Sequence, residues 1–291
     1  MSVRTHFTTR LDDDVTARRA LVVYALLFLY YGFFFVPILW LVSSSLKADA
    51  ILFSSDLVLL PPPEHFTLAN YQRVLSDRLF QGYFLNSTAV AVQTTVLTLL
   101  CGVPAAYAVS RFDFPGRDYV VVGFLSSQML PLVLVLIPFF TVMFRLRLID
   151  TLLGLVLAHT VVSLPFVIWL LKGFFDGIPQ SLDDAAMMDG CSRIQIMYRI
   201  IIPLSLPGIA VAGFYAFLAS WNDFLFVSVL SQSDATRTLP FGLQLFQSAN
   251  QVDWGAVTAA ATLTMIPVVL LFALVHRWLV EGLTTSGMKG S

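Results

Sequence analysis

The triplet Trp221, Asn222 and Asp223 has the residue types best suited to binding a solute, and it lies inside a long apolar stretch. An aromatic face can pack on the C–H face of a sugar, and a carboxylate or an amide can bond hydroxyl groups. Polar groups cost free energy in lipid and usually face the interior of a helix bundle. We therefore predict either a place on a solute pathway or a structural role, in which Asp223 bonds a neighbouring helix or subunit.

Other polar residues in apolar stretches have the same two possible roles, on the solute pathway or in the structure. For them a structural role is favoured, because hydrogen bonds between helices are common in membrane proteins. These residues are Asn86, Gln93, Gln128 and His159.

Several kinds of chemistry lack the residues that they need. A phosphate-binding P-loop ends in Gly-Lys-Ser/Thr, whereas Lys47, Lys172 and Lys289 each follow an apolar residue. The sequence has no HExxH or GxSG motif, and Asp223 is the single acidic residue of its apolar stretches. The two cysteines form no CxxC pair. We expect no catalytic residue, no metal ion and no bound ATP in this chain.

Composition places the chain in a membrane. Hydrophobic residues make up 57% of the 291 residues and charged residues 12%, about half the charged fraction of a soluble domain. The net charge of −1 gives no surplus for contacts with phosphates, so nucleic-acid binding is not predicted.

Six apolar blocks are long enough to cross a bilayer, which takes about 20 residues of helix. Each block contains or begins near a proline, which neighbouring helices can accommodate in a membrane. The first block is too long for a signal peptide, so we expect it to be retained. The predicted spans are residues 20–42, 84–109, 119–144, 151–171, 204–229 and 255–275.

An even number of spans places both termini on one side, and eleven of the 17 basic residues then lie on that side. The positive-inside rule makes it the cytoplasm. We therefore predict an all-α integral membrane protein with a cytoplasmic N-terminal tail, a six-span domain containing a cytoplasmic loop, and a cytoplasmic C-terminal tail. Their bounds are 1–19, 20–280 with the loop at 172–203, and 281–291.

The cytoplasmic loop has the pattern of two short capped helices. Ser181 with Asp184 and Ser192 with Gln195 have the spacing of capping boxes, and Gly190 can end the first helix. In the second helix, one face is predicted to hold apolar residues, namely Ile194, Met197 and Ile201. In the first helix, Leu182, Ala185 and Ala186 recur at helical spacing. The two small alanine side chains would let another protein pack closely against this helix.

Residues 184–203, DAAMMDGCSRIQIMYRIIIP, resemble the EAA loop of permease subunits of bacterial ABC importers. The family pattern is Glu-Ala-Ala, three residues, Gly, nine residues, Ile, one residue and Leu-Pro. Asp184 stands where the family has Glu, and Ile202 where it has Leu. The positions in register are Ala185, Ala186, Gly190, Ile200 and Pro203.

Further segments are similar to permeases of the maltose type. They are SSSLK at 43–47, NYQRVL at 70–75, WNDFL at 221–225, VDWGAVTAAA at 252–261 and HRWLVEGLTTSGMKG at 276–290. The resemblance implies a type I importer permease fold in the bacterial inner membrane, with alternating access driven by ATP hydrolysis on other subunits.

The resemblance also implies partners and site residues. Expected partners are a second homologous permease forming a heterodimer, two ATPase subunits holding ATP and Mg²⁺, an extracytoplasmic binding protein, membrane lipid and a sugar, an oligosaccharide above all. Residues 182–190 would be the coupling helix that docks on an ATPase, with Asp184 or Asp189 pairing with an arginine there. The tail, with Gly282, Thr284 and Lys289, would reach between the ATPase subunits and is expected to be flexible when alone.

An autonomous carrier coupled to protons or ions is the alternative function. Such carriers normally have more intramembrane carboxylates or an inverted repeat. A carrier would transport its solute alone, whereas an importer permease would need its partners.

Overall fold

The computed structural model of the chain describes the backbone of residues 4–52, 58–246 and 252–287, and the side chains of these residues from 19 to 278 except 245. The described residues are mainly helical, with one isolated antiparallel bridge between Lys47 and Phe66. The α-helices are α1 Arg4–Ser45, α2 Asp49–Leu52, α3 Ala69–Ser76, α4 Arg78–Arg111, α5 Arg117–Ser127, α6 Leu132–Arg145, α7 Leu152–Asp176, α8 Ser181–Met188, α9 Arg193–Ile196, α10 Ile202–Leu204, α11 Leu206–Trp221, α12 Leu225–Leu230, α13 Leu239–Gly242 and α14 Trp254–Gly287. A π-helix, Met197–Ile201, joins α9 to α10, and short 3₁₀ turns occur at Pro63–His65 and Leu243–Phe246.

Four helical segments are long and apolar enough to cross a membrane by themselves: Arg19–Ser45, Arg78–Arg111, Leu152–Asp176 and Trp254–Trp278. Two further spans are possible if each of two bent helix pairs counts as one, which gives up to six in the described part of the chain. The structure is therefore an all-α fold with the apolar helices that the composition predicts.

The third predicted span, residues 119–144, is broken in the middle. It consists of α5 and α6, whose axes differ by 103°. Pro131 precedes α6 in an extended conformation, with φ −57° and ψ 124°. Proline has no N–H for a helical hydrogen bond and disfavours helix in the residue before it, which explains why the helix stops here.

The chain forms two compact units, residues 1–73 with 253–262 and residues 74–252 with 263–291. In the first unit, the buried amide of Asn70 donates to the carbonyls of Ser45 and Lys47 at 3.0 and 2.9 Å. Arg73 forms ion pairs with Asp49 and Asp253. These contacts connect the end of α1 and the segment after it to α3 and the start of α14.

In the second unit, α4 and α7 pack side by side and run in the same direction. One buried cluster joins Val90 of α4 to Leu155 and Val156 near the start of α7, together with Phe226 of α12. A second cluster joins the later parts of both helices to the loop after α7 and to α11, and it includes Val103, Tyr107, Val167, Leu171, Ala186, Ile196, Ile201 and Ala212. The two clusters define two ends of the bundle.

The ends of this bundle separate two groups of loops. Because α4 and α7 are parallel, α5 and α6 must return the chain from one end of the bundle to the other. The loop after α7 lies at the end where α4 finishes, and the segments around Asp150 and Thr236 meet at the opposite end. By the predicted topology, the first end is cytoplasmic and the second is extracytoplasmic.

Gly208 allows α11 to approach α7 closely. A β-carbon at position 208 would lie 2.6 Å from Cδ2 of Phe174. We predict that Gly208→Ala destabilises the protein by about 1–3 kcal/mol through overpacking. Thermal unfolding of the detergent-purified chain measures this change.

Gly173→Ala in α7 is the matched control, because a β-carbon there meets nothing within 4 Å. It should leave the protein equally stable or slightly more stable, since alanine favours helix over glycine. Equal melting temperatures for the Gly208 variant and the unchanged chain would contradict the packing argument.

Candidate functional site

The loop at residues 172–203, predicted to be cytoplasmic, is a candidate site built on a short helix. Helix α8 begins at Ser181. The prediction of Ser181 as its N-cap was wrong: Gln180 holds the capping position in a helical conformation, with no side-chain cap bond. Asp184 N already bonds to Gln180 O at 3.1 Å, so the first helical turn includes Ser181.

The end of α8 agrees with the prediction for Gly190. Its φ is +83°, a left-handed value at which glycine carries no steric cost. Cys191 N donates to Ala186 O at 2.9 Å, and Gly190 N donates to Met187 O at 3.0 Å. This pair of bonds is a Schellman motif, which satisfies the last carbonyls of the helix.

The capping box of the second loop helix is confirmed. Ser192 N donates to Gln195 Oε1 at 2.8 Å, and Gln195 N donates to Ser192 Oγ at 3.3 Å. The predicted apolar face is partly wrong, because Ile194 is exposed. Met197 and Ile201 are buried as predicted, and Ile196 takes the place of Ile194 in the core. Ile196 and Ile201 lie five residues apart, which fits the wider π-helical turn at Met197–Ile201.

Helix α8 divides the predicted contact residues between two faces. Ala186 is buried in the cluster with α4 and α7, whereas Ala185 is exposed. The other exposed positions of the helix and its end include Leu182, Asp184, Met188, Asp189 and Gly190. At the end of the loop, Ile200 is half-buried and Pro203 is exposed. The structure therefore presents Ala185 and the two aspartates outwards and uses Ala186 to hold the helix.

The last turn of α4 holds the loop through polar contacts that the sequence did not reveal. Arg111 Nε lies 3.0 Å from Asp183 Oδ2, and each of these side chains is only 3% exposed. This ion pair lacks hydrogen-bond geometry. Arg111 Nη2 also donates to Ile178 O at 3.0 Å, and Tyr107 OH donates to Arg193 O at 3.3 Å. The sequence gives one signal for this contact. Asp183 and Asp184 are adjacent, and only Asp184 belongs to the EAA pattern.

Trp221, Asn222 and Asp223 end α11 and begin a break before α12. Trp221 is buried and stacks on Phe217 at 5.4 Å between ring centroids. Asn222 is exposed. Asp223 Oδ2 accepts bonds from the backbone N–H groups of Phe226 and Val227 at 3.0 and 3.3 Å. Asp223 therefore caps α12, which supports the structural alternative for this residue.

His159 of α7 completes this polar cluster. Its Nε2 lies 3.2 Å from Asp223 Oδ2 and its Nδ1 lies 2.8 Å from Ser220 Oγ. A carboxylate only accepts, so Nε2 donates to Asp223, and Nδ1 shares a hydrogen bond with the serine hydroxyl. The cluster joins α7 to α11 and α12, as predicted for a structural histidine. Gln128, which donates to Val162 O at 3.2 Å, is likewise structural, whereas Gln93 is exposed.

At the opposite end, Asp150 joins the segment before α7 to the segment after α12. Its Oδ1 accepts from Gln232 N and Ser233 N, both at 3.0 Å, and from Thr236 Oγ1 at 2.5 Å. The bond from the Thr236 hydroxyl, followed by those from Ser233 and Gln232, lowers the pKa of Asp150 to about 2. Its φ of 57° is left-handed, which aspartate and asparagine tolerate better than most residues.

The start of α4 binds the same segment from its other side. Tyr83 OH donates to Asp234 Oδ1 at 2.6 Å, and Asn86 Nδ2 donates to the carbonyls of Ala235 and Arg237, both at 2.9 Å. The bonds from Tyr83 and Arg237 lower the pKa of Asp234. Residues 231–238, named here the outer segment, are thereby fixed to both α4 and Asp150.

The C-terminal residues of the predicted site are only partly described. Gly282 and Thr284 belong to α14, which continues to Gly287. Residues 282–287 are thus helical, and the flexibility expected of the tail stays a prediction. Lys289 lies outside the described residues.

Comparisons with known proteins identify the architecture. Residues 98–285 match the family described as binding-protein-dependent transport system inner membrane component. The chain is 37% identical over 254 residues to the sulfoquinovosyl glycerol transport system permease protein SmoH of Agrobacterium fabrum, covering 87% of this chain and 88% of that protein. It is 34% identical over 281 residues to the trehalose/maltose transport system permease protein MalG of Thermococcus litoralis, covering 96% and 99%.

A solved structure shares the fold. The chain matches a crystal structure of a bacterial ABC transporter involved in the import of the acidic polysaccharide alginate, with a TM-score of 0.79 and 25% identity. The match covers 90% of this chain and 96% of that one.

The Asp223 cap generates a prediction about stability. Asp223→Ala removes the acceptor for two backbone N–H groups and for His159, so we expect a loss of about 1 kcal/mol or more. Asp223→Asn keeps an oxygen acceptor and should remain close to the unchanged chain. Thermal unfolding in detergent separates the two variants, and equal effects of alanine and asparagine would contradict the capping role.

The Asp150 network generates a prediction about pH. A carboxyl whose folded-state pKa is depressed stabilises the fold above its unfolded value, near 3.8, and this contribution disappears as pH falls through about 2. We expect Asp150→Asn, which keeps the left-handed backbone, to be less stable than the unchanged chain at pH 7. The difference in melting temperature should persist to about pH 5 and be roughly halved at pH 3. A difference that does not change with pH would contradict the role of the charge.

Proposed function

The chain belongs to the family of binding-protein-dependent transport system inner membrane components, and we propose that it moves a sugar or glycoside across the inner membrane with energy received through α8. It is a permease subunit of a carbohydrate ABC importer and works with other subunits of that transporter. Its family depends on a binding protein, so the alternative of an autonomous proton-coupled or ion-coupled carrier is not supported.

The geometry of α8 carries the coupling proposal. The helix is closed by a Schellman motif at Gly190 and is fixed to the bundle by Ala186 and Asp183, while Ala185 and Met188 remain exposed. A short helix held in this way moves as a body with the bundle. We infer that its exposed face docks on an ATPase subunit, where Asp184 or Asp189 pairs with an arginine.

We propose that partner subunits supply the nucleotide-binding sites. We infer two ATPase subunits that bind ATP and Mg²⁺, and a second, homologous permease that completes a heterodimer around one pathway. Gly282, Thr284 and Lys289 are proposed to contact the ATPase subunits. The family itself supports the role of a membrane subunit in a multi-subunit importer.

The substrate class follows from the relatives. Relatives named for sulfoquinovosyl glycerol and for trehalose and maltose cover most of this chain. We propose a sugar carrying more than one ring or a glycoside as cargo. The structural role of Asp223 leaves exposed Asn222 as the member of the triplet able to face a solute.

The outer segment is proposed to face the binding protein. By the predicted topology it lies outside the cell. Asp150 and Asn86 bond its backbone, and Tyr83 bonds the side chain of Asp234. A rigid surface loses little conformational entropy when a partner docks on it. This property suits a site that must distinguish the states of a binding protein.

Affinity purification of the tagged chain in mild detergent tests the proposal. We expect it to recover a second permease, an ATPase and, with its cargo, a binding protein. Ala185→Trp should insert in the membrane but lose at least about tenfold in recovered ATPase, because the large ring blocks close docking. Ala186→Trp would be a poor test, since residue 186 is buried in the bundle.

Ala235→Trp is the matched control, because Ala235 is an exposed alanine at the opposite end of the bundle. This variant should retain the ATPase. Full ATPase recovery with Ala185→Trp would refute docking through the exposed face of α8. Recovery of the chain alone, together with solute transport by that chain in vesicles, would refute the importer itself.

A further inference from the structure

The last turn of α4 is connected to each part of the cytoplasmic loop. Ser110 Oγ donates to Asp176 Oδ1 at 2.6 Å where α7 ends, and Arg111 contacts both Ile178 O and Asp183. Tyr107 bonds to the carbonyl of Arg193, where the second loop helix begins. Residues 107–111 thus hold the loop at four points, although α4 is not adjacent to the loop in the sequence.

The ion pair between Arg111 and Asp183 is the strongest constraint among these contacts. Both side chains are almost fully buried, so separating them would leave the Asp183 carboxylate with neither water nor a partner, whereas Arg111 would keep its bond to Ile178 O. Breaking such a pair is costly even where forming it gives little net stability. A pair of this kind therefore fixes geometry, and it fixes the first turn of α8 against the last turn of α4.

The other end of α4 is fixed to the outer segment. Tyr83, Asn86 and Ser87 lie in its first three turns and bond to Asp234, to the carbonyls of Ala235 and Arg237, and to Leu239 N. A single 34-residue helix thus contacts α8 at one end and the outer segment at the other.

We propose that Arg111 and Asp183 are positioning residues that couple α8 to α4, so that a displacement of α8 by the ATPase is transmitted along α4 to the outer segment. This inference rests on the proposed function of α8. It adds the route: the movement enters α4 through a buried ion pair, besides passing along the chain into α7 and α11. Neither residue contacts nucleotide or cargo in this role.

The experiment measures movement at the outer segment when the ATPase is engaged. The chain carries Ala235→Cys labelled with an environment-sensitive fluorophore, with Cys101 and Cys191 replaced by alanine. It is purified with its co-purifying subunits and placed in nanodiscs, and Mg²⁺, ATP and orthovanadate are added as the probe. The shift in emission reports whether the outer segment responds to nucleotide, and ATPase recovery is measured on the same sample.

We expect the unchanged ion pair to give a clear emission shift. Asp183→Asn should retain the ATPase but reduce the shift by about tenfold, within the usual range of coupling between sites. The double variant Arg111→Asp with Asp183→Arg should restore about half of the shift, because it restores the pair but places each charge at the less favourable helix end.

Asp113→Asn is the matched control, since Asp113 is an exposed cytoplasmic aspartate whose ion pair with Arg117 lies at the surface. It should leave the shift unchanged.

Three results would overturn the inference. The first is a full emission shift in those Asp183→Asn complexes that remain assembled after purification. An ion pair with a purely structural role would lower the yield of complex without changing its response to nucleotide. Another is absence of recovery by the charge exchange when that variant assembles normally. The third is absence of a shift with the ion pair intact, which would show that α4 carries no movement outwards. Failure of the proposed function itself is seen separately, as ATPase recovery that Ala185→Trp does not affect.

Discussion

The close contact between α4 and α7 determines where the functional parts of the larger unit lie. Gly102 has no side chain, and a β-carbon there would fall 2.9 Å from Val167 Cγ1, so the two helices meet at a distance that only glycine permits without adjustment. Small residues of this kind allow close helix packing in lipid, where no hydrophobic force drives helices together. Because α4 and α7 run parallel, the chain that connects them must cross back from the end of α4 to the opposite end of the bundle. The loops therefore lie in two groups, one at each end.

Polar interactions are then concentrated where the cost of burying them is lowest. Arg111 with Asp183 lies at one end of α4, and Tyr83 with Asp234 at the other. Between these ends, the described polar cluster around His159 and Asp223 pairs its groups with one another and caps a helix. Unpaired polar groups in hydrocarbon are expensive, so pairing within the bundle is the expected arrangement. The polar residues thus keep the helices in register and give each end of the bundle a defined shape.

The sequence predicts the parts of this structure that depend on local pattern. Hydropathy identifies the apolar helices, and Gly190 and the pair Ser192 with Gln195 fix turns and caps through neighbours in the sequence. Ser181 misled the prediction because the helix starts one residue earlier than the capping box requires: Gln180 occupies the capping position and Ser181 is the first helical residue. The break at Pro131 was not predicted, since a proline is also compatible with a continuous membrane helix. The pair of Arg111 and Asp183 joins residues far apart in the chain, and no local spacing indicates it.

The two ends of the bundle each combine residues that hold a surface in place with residues that stay exposed for a partner. Helix α8 is fixed to the bundle through Asp183 and Ala186, and the outer segment is fixed through Asp150 and the first turns of α4. Both surfaces are therefore held by side chains that point inwards, which leaves outward positions such as Ala185 and Ala235 exposed. In the proposed function, a partner that docks on either surface would act on α4, because Arg111 contacts α8 and both Tyr83 and Asn86 contact the outer segment. Changes in the exposed residues can alter the choice of partner, whereas changes in the inward residues alter how far a movement spreads.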